Sequence, residues 1–323
     1  AEIAEFVAEF LGEQGLGADL FEVAPGRPNV TARIDGTGDG PTVLLCCHLD
    51  TVSVEGMSDP FSGRVKNGKL YGRGAQDVKG GLASMLAAAA ILAKAPPRGD
   101  VIVAGVADEE AYSAGTESLL APGLEADMAI VFEPSELDVV VAHKGFAWMS
   151  VSTVGVAAHG SRPEEGVDAI AHMGRVLDSI ETLGRALGNG AQHERLGAAS
   201  LHASLIEGGR ELSSYPDRCE LKLERRTIPG ESQADVTAEM VALLKDLRSD
   251  PSFRASLEVE FYRPAFEIDE DHARPTGLRA ASTKVRGGEC ELVGMTGWTD
   301  SALLADAGIP AVVFGPGGAG LHG

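Results

Sequence analysis

Four short apolar runs in this 323-residue chain end at side chains that bind metal ions or move protons. Val43-Leu44-Leu45-Cys46-Cys47 leads into His48 and Asp50. Val101 to Ala107 leads into Asp108-Glu109-Glu110, and Met128 to Phe132 into Glu133. Ala311 to Phe314 leads through a glycine-rich loop to His322. Asp77 stands just before a long helical stretch. Imidazole nitrogen combined with carboxylate oxygen is a donor set for divalent metal. Gathered at one sheet edge, two histidines and several carboxylates would form a two-metal site.

Taken singly, each residue has a plainer explanation. His48 could be a structural histidine; as a ligand it would use the nearby Asp50 carboxylate to hold its other ring nitrogen and fix the tautomer. Asp77 could be a helix N-cap. The surrounding Gly72-Arg73-Gly74 and Gly80-Gly81 suggest a phosphate loop. Yet the third glycine of the dinucleotide fingerprint is missing, and no Gly-Lys-Ser/Thr follows. Asp77 would also repel a phosphate. A metal-bridging carboxylate suits the position, since the glycines let backbone pack close to an ion. Three adjacent acids at 108–110 are commonly a solvated loop. At the end of a buried strand they repel one another, and something cationic must offset them. A metal would let Glu110 ligate while Glu109 stays free as a base. Pro134 stiffens the position of Glu133.

The elements that must position these residues follow from the same runs. Uninterrupted apolar segments flanked by polar residues read as strands of a parallel sheet. Open α/β sheets bind ligands beyond the carboxyl ends of their strands. An amphipathic helix spans 3–11, strands fall at 29–34 and 42–47, and a helix from Val78 to Lys94 is stopped by Pro96-Pro97. Strands at 101–107 and 128–132 follow. This order predicts an α/β fold, a mostly parallel sheet with helices on both faces. From Phe146 the order becomes β-α-β-β-α-β: strand 146–154, helix 166–187, strands 199–206 and 219–226, helix 232–247, strand 257–262. Residues 146–262 therefore read as a ferredoxin-like domain inserted into a catalytic domain of 1–145 and 263–323. Residues 264–271 would be the return linker, followed by a helix near 299–307 and the strand 311–314.

Composition narrows the partners. Lys and Arg number 27 against 48 Asp and Glu, a net charge of -21. Nucleic acid and anionic membrane both need a basic face, so neither is expected. No apolar stretch is long enough to span a bilayer. The four cysteines show neither a disulfide framework nor zinc-ribbon spacing. Cys46 and Cys47 read as small buried hydrophobes. Unpaired cysteines of this kind suit a reducing, cytoplasmic setting.

Together, several blocks resemble the signature of one family. They are His48-Leu49-Asp50-Thr51-Val52, Gly72-Arg73-Gly74 with Asp77-Val78-Lys79-Gly80-Gly81, Asp108-Glu109-Glu110, Phe132-Glu133-Pro134, and Gly315-Pro316-Gly317-Gly318 before His322. The family is the co-catalytic metallo-hydrolases of acetylornithine deacetylase, succinyl-diaminopimelate desuccinylase, aminoacylase and glutamate carboxypeptidase. The resemblance continues through Val154 to Pro163, Gly208-Gly209 and Arg226 to Glu231.

That resemblance implies roles. Asp77 bridges two divalent ions, zinc first, with cobalt or manganese as alternatives. His48 and Glu133 complete one ion; Glu110 and His322 complete the other. Glu109 is the general base and Asp50 orients His48. His159 matches a residue sent across a dimer interface to polarise the scissile carbonyl. A homodimer is therefore expected, with the inserted domain as lid and dimerisation module. Arg226 matches a residue that binds substrate carboxylate, and Ser213 and Ser214 fall where substrate-contacting polar residues lie. The plain alternative for Arg226 is a surface arginine paired with Glu224 or Glu231. The implied reaction is hydrolysis of an N-acyl amino acid by way of a metal-bridging water. A dipeptidase or carboxypeptidase on the same site is the alternative, and a non-catalytic binding protein the remote one. Family members usually carry a helical segment before the equivalent of Ala1 and a helix after that of His322. The chain is thus expected to be trimmed at both ends. Ala111-Tyr112-Ser113 replaces a glycine-containing turn.

Overall fold

Alternate residues of a strand face opposite ways, so a strand without polar alternation must be covered on both sides. β3 (Val43–His48), β6 (Val101–Val106) and β17 (Ala311–Val313) meet that condition almost throughout. In the computed structural model of the protein, which describes residues 1–322, they form the middle of one sheet together with β7 (Met128–Val131). The order is β6-β3-β7-β17, and every pairing among these four is parallel. Toward one edge β2 (Arg27–Ile34) joins β6 antiparallel, and β1 (Ala18–Ala24) joins β2. Toward the other, β8 (Val139–His143) joins β17 antiparallel, and β15 (Phe266–Glu267) and β16 (Leu292–Met295) pair with β8. β4 (Arg64–Lys66) and β5 (Lys69–Tyr71) form a separate hairpin.

Helices cover the sheet. Ala4, Val7 and Leu11 of α1 (Glu2–Glu13) pack with Leu82, Met85, Leu86 and Ala89 of α2 (Gly80–Lys94). Leu45, Cys47, Val101 and Val103 complete that core from the strands. Each such Leu or Val contributes about 1.5–3 kcal/mol by leaving water. Leu44 and Cys46, on the opposite pleat, are buried as well. α3 (Ala114–Leu120) packs on α7 (Ser301–Asp306), and α7 and α6 (Ala273–Arg286) both pack on β17.

The chain divides into two compact units. The first holds this sheet. The second comprises 142–266 and 295–298. Within it, β9 (Gly145–Val154), β12 (Ser200–Gly208), β13 (Arg218–Thr227) and β14 (Ala255–Arg263) form an antiparallel sheet in the order β12-β13-β9-β14. α4 (Ala169–Gly188) and α5 (Gln233–Leu247) pack against it around Met149, Val151, Leu221 and Leu223. Both helices start where a side chain satisfies a free backbone N–H. Asp168 caps α4, and Ser232 with Asp235 forms a capping box on α5. Chain order and strand order together are the ferredoxin-like arrangement. β10 (Gln192–His193) and β11 (Gly197–Ala198) add a small hairpin.

Several details differ from the sequence reading. The helix expected from Val78 starts at Gly80, because the backbone at Asp77 (φ -113°, ψ 94°) and Val78 (φ -134°, ψ 27°) is not helical. The second unit takes in 295–298 because Trp298 packs edge-on against Phe146 and His143. Its indole N–H also donates to the Pro264 carbonyl at 3.0 Å. α6 went unread because it is polar around most of its circumference and carries Pro275 and Gly277, so it shows no apolar period. β8 went unread because only Lys144 separates it from β9, and two strands of different sheets merge into one apolar stretch.

Candidate metal centre

β3 ends at His48, whose ring is buried. Its Nδ1 lies 3.1 Å from the backbone oxygen of Asp50. A proton on Nδ1 donates there, which leaves Nε2 as the nitrogen that faces the carboxylates and could bind a metal. Nε2 lies 3.0 Å from Asp77 Oδ1 and 3.5 Å from Glu133 Oε1. The other oxygen of Asp77, Oδ2, lies 3.3 Å from His322 Nε2. Glu110 Oε2 lies 3.2 Å from that same nitrogen, while Glu110 Oε1 accepts the Val52 N–H at 3.3 Å. Two groups result, His48–Asp77–Glu133 and Asp77–Glu110–His322, in each of which the ligand atoms lie within 4.8 Å of one another. Asp77 belongs to both.

Asp77 is free to do this because it caps no helix. Lys79 is the residue before α2, and its side chain makes no cap bond. The kinked backbone at 77–78 turns the Asp77 carboxylate out of the helical path; the Asp77–Val78 peptide is cis. His322 is held from its own backbone, whose oxygen accepts from Arg73 Nη2 at 3.1 Å.

The three acids after β6 sit in a tight turn. Asp108 has φ +71°, and its carbonyl accepts the N–H groups of Ala111, Tyr112 and Ser113. Its side chain pairs with Arg27. The N–H groups of Glu109 and Glu110 donate to the two oxygens of Asp50, at 3.1 and 3.2 Å. Asp50 thus supports the acid turn with its carboxylate, while its backbone oxygen meets His48. Ala111-Tyr112-Ser113 makes the turn without glycine because Ser113 itself takes φ +55°.

Crowded acids hold protons when no cation is present. Burial, together with Glu133, Asp300 and Glu110, pushes Glu109 well above the usual carboxylate range, against the pull of His48. Burial raises Glu133 to about 8, with Asp77, Asp300 and Glu110 adding to it. Burial alone would lower His48, but Glu133, Asp50, Asp77 and Glu109 raise it well above its ordinary value. Asp50 and Asp77 are held below the usual carboxylate range: burial opposes this, and the His48 ring, 3.7 Å from Asp50 Oδ1 and 3.0 Å from Asp77 Oδ1, outweighs it. A set of buried like charges calls for a cation. The donors on offer are imidazole nitrogen and carboxylate oxygen. Cys47 Sγ faces the carbonyls of Val78 and Phe132 instead. One nitrogen per group with the rest oxygen fits zinc, manganese or cobalt.

Asp300 was not singled out from the sequence. It is buried, accepts the Thr116 hydroxyl at 2.7 Å, and is raised to about 6, chiefly by burial. A Thr-Asp pair before a helix reads as a cap, and no local signal showed that this carboxylate turns inward instead.

The remaining residues expected at the site lie in the second unit. His159 Nδ1 accepts the Ser161 N–H at 3.2 Å and stands 2.8 Å from the Ser161 hydroxyl. With Nδ1 an acceptor, the neutral ring carries its proton on Nε2. The His159 segment is zipped to the Ser213–Ser214 segment: Gly160 N–H donates to the Ser213 carbonyl, and Tyr215 N–H to that of Ala158. The Ser214 hydroxyl donates to Glu211. Arg226 is engaged by Glu224 at 2.6 and 3.3 Å and lies over the Phe146 ring. Glu231 pairs with Arg225 instead.

The profile of peptidase family M20/M25/M40 matches residues 44–323. An N-formyl-4-amino-5-aminomethyl-2-methylpyrimidine deformylase of Bacillus subtilis is 30% identical, over 98% of this chain and 82% of that protein. An acetylornithine deacetylase of Myxococcus xanthus is 32% identical, over 90% of this chain and 76% of that protein. Among solved structures, a tripeptidase from Staphylococcus aureus superposes with a TM-score of 0.80 at 24% identity, over 98% of this chain and 85% of that one, which speaks for the fold.

Proposed function

The chain belongs to peptidase family M20/M25/M40, and on that premise we propose that it is a two-metal amidohydrolase removing a short acyl group from an amine, an N-acyl amino acid in the first instance. The observation that carries this reading is Asp77, with one oxygen at His48 and the other at His322, so that it belongs both to the group with Glu133 and to the group with Glu110. His48, Asp77 and Glu133 would hold one ion, and Asp77, Glu110 and His322 the other. Bound there, the ions supply Lewis-acid activation of water and of the scissile carbonyl. Zinc is the first expectation. Glu109 takes the water's proton and returns it to the leaving amine. Asp50 keeps Glu109 and Glu110 in register through their N–H groups. His159, with its proton on Nε2, is the donor for the developing oxyanion.

The names of the two curated relatives favour short acyl groups, one a deformylase and one a deacetylase. The first also widens the choice of leaving amine beyond amino acids. The test is hydrolysis by metal-loaded protein of a panel of N-formyl, N-acetyl and N-succinyl amino acids, N-formyl aminomethylpyrimidines and dipeptides. Turnover led by the formyl or acetyl members is expected. Turnover of dipeptides alone would make the chain a dipeptidase, and none at all would sink the reading.

The second unit fits a dimerisation role. β12 is an edge strand whose Leu205 and Ile206 are exposed. An open edge with apolar side chains is a template for pairing, and a two-fold copy is the commonest partner. His159 would then serve the partner's centre.

A further inference from the structure

Asn29 lies in β2, a strand that contributes nothing to the metal centre, yet it is fully buried. A buried amide needs a reason, because an unsatisfied one is costly. Its Oδ1 accepts the Ala107 N–H at 2.8 Å, and its Nδ2 donates to the Gly115 carbonyl at 2.8 Å. The Gly115 N–H donates to the Ala107 carbonyl at 3.0 Å. Asn29 and one backbone bond therefore close the two ends of segment 107–115, which contains Glu109 and Glu110. A Cβ at Gly115 would stand 2.2 Å from the Ala107 oxygen, so only glycine lets these backbones meet. Two residues back on the same strand, Arg27 pairs with Asp108 inside the loop. Asp50 takes the loop's two central N–H groups from the other side.

We propose that Asn29 is a positioning residue for the catalytic acid turn, fixing where the Glu109 carboxylate stands by locking the ends of the loop that carries it. The proposal rests on Glu109 being the general base. The chemistry is particular to asparagine. Ala107 requires an acceptor and Gly115 a donor, a short reach apart. Aspartate lacks the donor, and glutamine is a methylene too long. The Asp108 carbonyl already holds three N–H groups, so the turn is tight within itself. What β2 adds is its placement against the sheet. An error of about 1 Å there costs turnover without costing substrate binding.

The test compares Asn29→Ala, Glu109→Gln and the double variant on the fastest substrate of the panel above, with zinc saturating. Asn29→Ala is expected to lower kcat about 10- to 100-fold with KM within about twofold, and to shift the acid limb of the kcat–pH profile. In the Glu109→Gln background it should cause no further loss, because it acts through Glu109. Leu11→Ala, a core truncation in α1, supplies a loss of stability without a change in kcat. If Asn29→Ala does not fold, Asn29→Ser, which keeps the position small and polar, takes its place with the same expectations at smaller size. Wild-type kcat and pH profile in the Asn29 variant would overturn the proposal, as would a loss that multiplies with that of Glu109→Gln or that Leu11→Ala reproduces. In those cases an impaired Glu109→Gln leaves the general-base assignment standing. Full activity of Glu109→Gln would remove that assignment and this proposal together.

Discussion

Loading the metal-free protein with zinc at pH 7 should expel about one proton per chain or more. A ligand must be deprotonated before it binds, so the groups that matter are ligands that hold protons in the metal-free protein. Glu133 is one: with its pKa at about 8, one unit above the working pH, it is protonated in about nine-tenths of the molecules. His48, raised well above its ordinary value by the acids around it, and Glu110, raised chiefly by burial, are the others and add to the release. Asp77 is lowered and has none to give. Glu109 is raised too, but it is not a ligand and its proton need not leave. The share from Glu133 alone, about 0.9 of a proton, is therefore the least release expected. Metal affinity should therefore rise at least about tenfold per pH unit near neutrality, and the share from Glu133 should flatten above about pH 8. Calorimetric titration in two buffers of unlike ionisation enthalpy reads the count directly. Glu133→Gln should lower it by about one. Release below half a proton, or affinity flat between pH 6.5 and 7.5, would refute the electrostatic reasoning. Folding of the metal-free chain follows with a definite sign. A carboxyl at about 8 instead of 4.5, and a histidine raised above 6.5, both hold protons in the folded state that the unfolded chain has lost. Stability without metal should thus be greatest below about pH 4.5 as far as Glu133 is concerned, and fall as pH rises through about 8. Bound metal should flatten that slope, which thermal melts with and without zinc would check.

Three further outcomes follow from named contacts. Glu109→Gln should keep its metal and lose about 10²- to 10⁴-fold in turnover, whereas Glu110→Gln should lose affinity for one ion; identical behaviour, by metal analysis and kinetics, would erase the distinction between base and ligand. Mixing inactive His159→Ala chains with inactive Glu109→Gln chains should restore some activity if His159 serves the partner's centre, and no recovery despite proven subunit exchange would count against it. Arg226 is held by Glu224, so Arg226→Lys should raise KM for N-acyl amino acids more than for their amides only if substrate carboxylate displaces Glu224; equal changes on both would leave Arg226 an ion-paired strand residue.

What could be read from the sequence was what buried strands enforce. A parallel strand covered on both faces must be apolar throughout, so its first polar residues stand at the sheet edge, and β3, β6 and β7 delivered His48, Glu109 and Glu133 there. Residue type then narrowed the chemistry, because acids at several strand ends repel unless a cation joins them. What stayed hidden depended on backbone angles and on which side of a strand a residue faces. Asp77 read equally well as a helix cap, and only the non-helical turn at 77–78 separates the two. Arg225 and Arg226 are neighbours on β13 and so face opposite ways. Arg225 is buried with Glu231 and Glu239, and Arg226 shares its face with Glu224 two residues away. The strand period assigns Glu224 to Arg226, whereas Glu231 lies beyond the end of β13, where that period does not reach, and turns back to Arg225. Asn29 and Asp300 are harder cases. Asn29 meets the acid turn from 78 residues before Ala107, and Asp300 meets the helix that follows the turn from 184 residues after Thr116. A single buried amide or carboxylate has no periodicity to betray it. Ligands at strand ends follow from local patterning, but the residues that aim them follow from topology, and that becomes visible only when β2 and α7 are seen against the loop between β6 and α3.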